Sequence, residues 1–131
     1  MSAPIKDRAA MIAGMAPVLN DTVWHFCTGQ GINPHGALAV FEEAEGTSFI
    51  FSETAAAEHG FELNQPMAQI TLSVHSALDG VGLTAAVASA LADAGIPCNM
   101  VAAFHHDHAF VPWEMRDQAI AVLQAVAEGQ A

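Results

Sequence analysis

The chain has 131 residues, 53% of them hydrophobic, with a mean hydropathy of +0.34. That is the length of one domain, or of two very small modules sharing a core, and it carries enough apolar side chain to bury one. Fourteen acidic residues stand against three basic ones, for a formal net charge of −11, and a surface of that sign repels phosphate backbones and anionic lipid, which argues against nucleic-acid and membrane-surface functions.

In chain order, residues 5–15 read as a helix with Ile5, Ala9, Ile12 and Ala16 on one face, ended by Pro17. Asn20 and Asp21 make a turn, and Thr22–Thr28 is a β-rich run. Gly29–Gly36 holds three glycines and a proline and is a loop. Ala37–Glu43 and Thr47–Ser52 form two strands linked through Ala44-Glu45-Gly46, a hairpin-length connection. Glu53–His59 is a short helix closed by Gly60. After Asn64-Gln65-Pro66, Ile70, Leu72 and Val74 alternate with Thr71, Ser73 and His75, the period of a half-buried strand. From Leu83 the period becomes helical, with Leu83, Val87, Leu91 and Ala94 on one stripe. Ala94-Gly95-Ile96-Pro97 stops that helix: Gly95 suits a left-handed C′ position and Ile96 folds back on the last turn. Asn99–Phe104 is a strand, His105-His106-Asp107-His108 turns the chain, and Ala109–Val111 returns. Pro112-Trp113-Glu114 opens a last helix with Met115, Ala119, Val122, Leu123 and Val126 inward.

No apolar run reaches the ~18–20 residues of a membrane span, and no signal-peptide core follows Lys6 and Arg8. Cys27 and Cys98 form no metal or redox motif. Cytoplasmic residence is the expectation.

The stretch between the strand ending at Val74 and the helix beginning at Leu83 is the one place where a binding site follows from backbone physics. A strand that runs through Gly80 and Gly82 into a helix presents unpaired N–H groups and a positive dipole end to a small anion. With so few side-chain cations, a bound carboxylate here depends mainly on backbone N–H groups. Other chemistries have less behind them. If His106-Asp107 is a two-residue turn, His105 and His108 become a cross-strand pair within reach of one metal ion, though a polar hairpin tip needs such residues anyway. Ser76, His75 and Asp79 include the residue types of a catalytic triad. Neighbours on a strand point to opposite faces, however, and no nucleophile, base and orienting group come together. No enzymatic activity and no cofactor are expected.

The segment Val74-His75-Ser76 through Gly82-Leu83, followed by Leu91-Ala92-Asp93-Ala94-Gly95-Ile96-Pro97, resembles the first strand, ligand loop and first helix of an ACT domain. His105-His106-Asp107-His108-Ala109-Phe110-Val111-Pro112 and Phe41-Glu42-Glu43-Ala44-Glu45-Gly46 extend the likeness to short stand-alone bacterial ACT-like proteins of uncharacterised function. These are distantly similar to the ACT modules of CASTOR-type arginine sensors. The resemblance implies an α+β fold of tandem ACT-like, ferredoxin-like modules, with antiparallel sheets and helices packed on one face. It divides the chain into halves at residues 1–65 and 66–131. An ACT domain has the order βαββαβ, but only Gly129, Gln130 and Ala131 follow the last helix here. A strand from the first half, for which Thr22–Thr28 is the best candidate, is expected to complete the second sheet.

The resemblance also implies a non-catalytic regulatory protein that binds a small molecule, an amino acid by family habit. Its carboxylate would lie on the backbone of Asp79, Gly80, Val81, Gly82 and Leu83, with its ammonium group near Asp79. Ser76 and Thr84 would supply hydroxyls at the rim, and Asn99 would face the same cleft. The alternatives are a structural or partner-binding module without ligand, and a metal-binding protein using the His105–His108 hairpin. Phe41, Phe49 and Phe51 on consecutive hairpin strands, in a chain this apolar, point to a homodimer.

Overall fold

The computed structural model describes residues 7–74 and 81–129. The expectations for Ile5, His75, Ser76, Asp79 and Gly80 lie outside those residues.

The first helix, α1 (Arg8–Ala13), is shorter than its apolar pattern predicts. Asp7 caps it, its carboxylate accepting from the Ala10 N–H at 2.9 Å. Met11 within it and Met15 just after it are fully buried. The helix stops at Ala13 with Gly14 as its C-cap, before Pro17 is reached, and Pro17 instead begins a short strand that no periodicity announces, β1 (Pro17–Leu19). Six further strands follow among the described residues: β2 (Trp24–Gly29), β3 (Ala39–Glu43), β4 (Gly46–Ser52), β5 (Met67–Leu72), β6 (Asn99–Ala102) and β7 (Asp107–Pro112). All their pairings are antiparallel, in the order β3-β4-β2-β5-β7-β6, with β1 also on β5.

The strand that completes the second half differs from the one expected. β1 pairs along β5 from Pro17↔Leu72 to Leu19↔Ile70, and the Asn20 N–H continues the ladder onto the Gln69 carbonyl at 2.9 Å. The run at residues 22–28 meets β5 only through Trp24↔Met67 before turning away to pair with β4. The two segments follow one another along one side of β5, which makes the two halves a single continuous sheet.

The four α-helices among the described residues lie on one face of it. α1, α3 (Leu83–Asp93) and α4 (Arg116–Ala127) cover Ala68, Ile70, Leu72, Ala109 and Val111 and form the main core. α2 (Glu53–Glu58) is capped by Ser52, which accepts from the Ala55 N–H, and covers Phe49 and Phe51. Helix α3 ends as its sequence predicts. Gly95 takes φ +75°, its N–H reaches the Ala92 carbonyl, and the Ile96 N–H reaches that of Leu91. This is a Schellman ending with Ile96 buried in the core.

The opposite face carries no helix among the described residues. It presents Phe26, Gln69, Thr71, His108 and Phe110, with the Phe26 and Phe110 rings edge to face at 5.3 Å. Residues of β3 and β6, the two sheet edges, line one pocket of about 300 Å³ on this side. The sheet is therefore curled around its helix-free face.

Candidate functional site

Gly82 is the N-cap of α3 at φ +107°, a conformation that favours glycine, and among the described residues no side chain caps the helix start. Leu83, Val87 and Leu91 anchor the helix in the core, which fixes where its first turn emerges. Val81, 77% exposed, and Thr84 stand at the surface there. The opening N–H groups of an uncapped helix favour an anion.

A residue that sequence reasoning passed over joins this turn. A Cβ placed on Gly82 would lie 2.5 Å from Cδ and 2.8 Å from Nε of Arg8, so the arginine side chain lies directly across the glycine. Arg116, by contrast, is occupied: its guanidinium stacks 4.0 Å over the Trp113 ring and Nη1 donates to the Trp113 carbonyl at 2.8 Å. Arg8 has no ion-pair partner among the described residues. Asn99 is not brought to the turn. It opens β6 opposite Phe110, on the face away from α3.

The histidine hairpin differs from its expected form. β7 begins at Asp107, and Ala102↔Asp107 together with the Ala103 N–H on the His106 carbonyl put the turn at Phe104-His105. His105 and His108 are therefore no cross-strand pair, since His108 stands opposite Val101. His106 Nδ1 lies 3.3 Å from the Val74 carbonyl. No group of three or more His, Cys, Asp or Glu side chains is placed to hold a metal ion among the described residues.

His108 instead belongs to a polar row on the helix-free face. Asn20 Nδ2 donates to Thr71 Oγ1 at 3.1 Å, Thr71 Oγ1 lies 3.1 Å from His108 Nδ1, and Gln69 Nε2 donates to the same nitrogen at 3.0 Å. Burial holds the His108 ring below its ordinary pKa of 6.5, and His106 adds to that; Asp107 works against it. Burial also raises the Asp107 carboxyl, against His108 and His106. In the first half, buried His25 meets Glu53 Oε2 at 2.8 Å. Both cysteines are free thiols whose pKa burial raises, so neither is an activated nucleophile.

An antiparallel α+β sheet with its helices on one face, met twice in one chain, is the ferredoxin-like arrangement of small regulatory domains. Residues 3–68 match one ACT-domain family and residues 66–125 match another, and the chain belongs to the ACT-domain family. A protein of unknown function from Vibrio cholerae, described as a possible transport protein, is 36% identical. Its structure superposes with a TM-score of 0.78 over 88% of this chain and 92% of its own. An Agrobacterium tumefaciens protein is 15% identical, with a TM-score of 0.66 over 85% and 87% of the two chains. The ligand-free regulatory subunit of aspartate kinase from Thermus thermophilus is 10% identical, with a TM-score of 0.60 over 86% and 97%. The last two likenesses concern the fold. No curated protein matches the sequence, and no helix among the described residues is long and apolar enough to cross a membrane.

Proposed function

We propose that this protein is a non-catalytic regulator that binds an amino acid or similar small metabolite at the turn entering α3. The observation that carries the reading is the uncapped start of α3 at Gly82 with the Arg8 side chain across it. Backbone N–H groups and a guanidinium together suit a carboxylate, in a chain that has few other cations to offer. Ser76, Asp79 and Gly80 belong to the proposed site by sequence, Asp79 as partner of the ligand's ammonium group. Val81 and Leu83 contribute backbone N–H groups, and Thr84 a hydroxyl at the rim. The regulatory habit of ACT domains supports the same reading, as does the likeness in fold to a regulatory subunit of aspartate kinase. We also propose that the two functional halves divide at residues 65 and 66, that the protein acts in the cytoplasm, and that it does so as a homodimer.

A thermal-shift screen of the twenty amino acids tests the reading, since a ligand of the native state raises the melting temperature by mass action. The expected result is a rise with one amino acid or a small group of them that Arg8→Gln reduces at least severalfold. If no amino acid shifts the wild type, the amino-acid reading fails.

A further inference from the structure

The pocket on the helix-free face is unrelated to the α3 turn, and its chemistry is specific. Its floor is apolar, formed by Ile50 and Phe110, both essentially fully buried, and Val101 and Phe41 stand at its sides. One wall is polar: Gln69, only 7% exposed, and His108. The hydrogen bonds behind that wall run in one direction. Asn20 donates to Thr71, which leaves the threonine hydroxyl proton for His108 Nδ1, and Gln69 Nε2 donates to that nitrogen as well. An Nδ1 that accepts leaves the ring proton on Nε2, so His108 is a neutral imidazole with one N–H to give. With its Nε2 donating to His108, the Gln69 amide has Oε1 as its acceptor atom at this wall.

We propose that this pocket is a binding site for a small neutral molecule with a lactam or primary-carboxamide edge. The ligand carbonyl would accept from His108 Nε2–H, its N–H would donate to Gln69 Oε1, and its apolar body would rest on Ile50 and Phe110. Charge selects against acids: the wall offers no cation, and the whole chain is strongly negative.

The test uses 2-pyridone, which carries the two groups side by side on one ring, and N-methyl-2-pyridone, which keeps the ring and carbonyl but lacks the N–H. Titration of the ¹⁵N-labelled full-length protein is followed through the His108 ring nitrogens and the Gln69 side-chain amide. The expected result is a saturable shift at both residues with 2-pyridone and binding about tenfold weaker for the N-methyl compound, the worth of one well-placed hydrogen bond. Gln69→Met and His108→Gln should each weaken 2-pyridone binding by a similar factor, their backbone spectra showing that the sheet is intact. Equal binding of the two compounds, no saturable shift with either, or full binding by both variants would overturn the proposal. The amino-acid screen at the α3 turn has a separate outcome, because neither variant touches Arg8 or Gly82.

Discussion

Gly82 and Arg8 illustrate how one residue's backbone depends on another's side chain. At φ +107° an alanine is strained, and its Cβ would displace Arg8. Gly82→Ala should cost about 1–2 kcal/mol in urea unfolding. In a double-mutant cycle Arg8→Ala should relieve the contact part of that cost and leave the backbone part; strictly additive losses would show that the contact carries no energy. His108 gives a prediction in pH. Its folded-state pKa lies below 6.5, so near pH 6.5 the unfolded chain binds more protons than the folded one. The contribution is fully present well above pH 6.5 and is lost as the pH falls through that value toward the folded pKa. Asp107 runs the other way at lower pH: its folded-state pKa is raised, so protonation relieves its burial as the pH falls toward its ordinary value of 3.8. Between pH 7.5 and 5.5 the melting temperature of the wild type should therefore fall further than that of His108→Gln. Parallel melting curves would show that this ring does not titrate with folding.

At the scale of elements, the N-terminal segment is structural. α1 and the residues after it send Met11 and Met15 into the main core, and β1 occupies one side of β5. Deleting residues 1–20 removes both and leaves β5 exposed along the edge that β1 covers, which invites aggregation. The truncated chain should lose its near-UV circular dichroism or precipitate. A soluble remainder with wild-type cooperativity would show that β1 is dispensable. Helix α4 offers a finer probe, since Leu123 is fully buried beneath it. Leu123→Ala should cost about 2–5 kcal/mol, read from the shift of the urea midpoint at unchanged slope.

For the whole molecule, the curled helix-free face leaves Phe26 and Phe41 about half exposed, at 49% and 48%. Burial of apolar area is worth ~25 cal/mol per Å², and salt screens exposed charges beyond ~8 Å, so an interface of ordinary size can outweigh the repulsion of two acidic chains. Light scattering should therefore give twice the 13.7 kDa monomer mass at micromolar concentration, with a larger dimer fraction at higher salt. The monomer mass at low and high salt alike would rule the dimer out.

The sequence by itself determined the elements whose pattern is local. The alternation from Ile70 to Leu72, the helical stripe of Leu83, Val87 and Leu91, and the ending at Gly95 and Ile96 all depend on neighbours a few residues away. They were legible because periods of 2 and 3.6 repeat within one element. β1 was not, because three residues are too few to show a period. The turn of the histidine hairpin moved for a related reason: Asp107 is a turn former by type, but pairing with Leu72 and Ala102 draws it into β7. The tertiary structure alone decided what lies against what. It laid Arg8 over Gly82, carried Asn99 to the far face, and joined Asn20, Thr71, Gln69 and His108 across separations of 37 to 51 residues. Contacts of that span depend on the register of whole strands and on the curl of the sheet, and no local pattern in the chain encodes them.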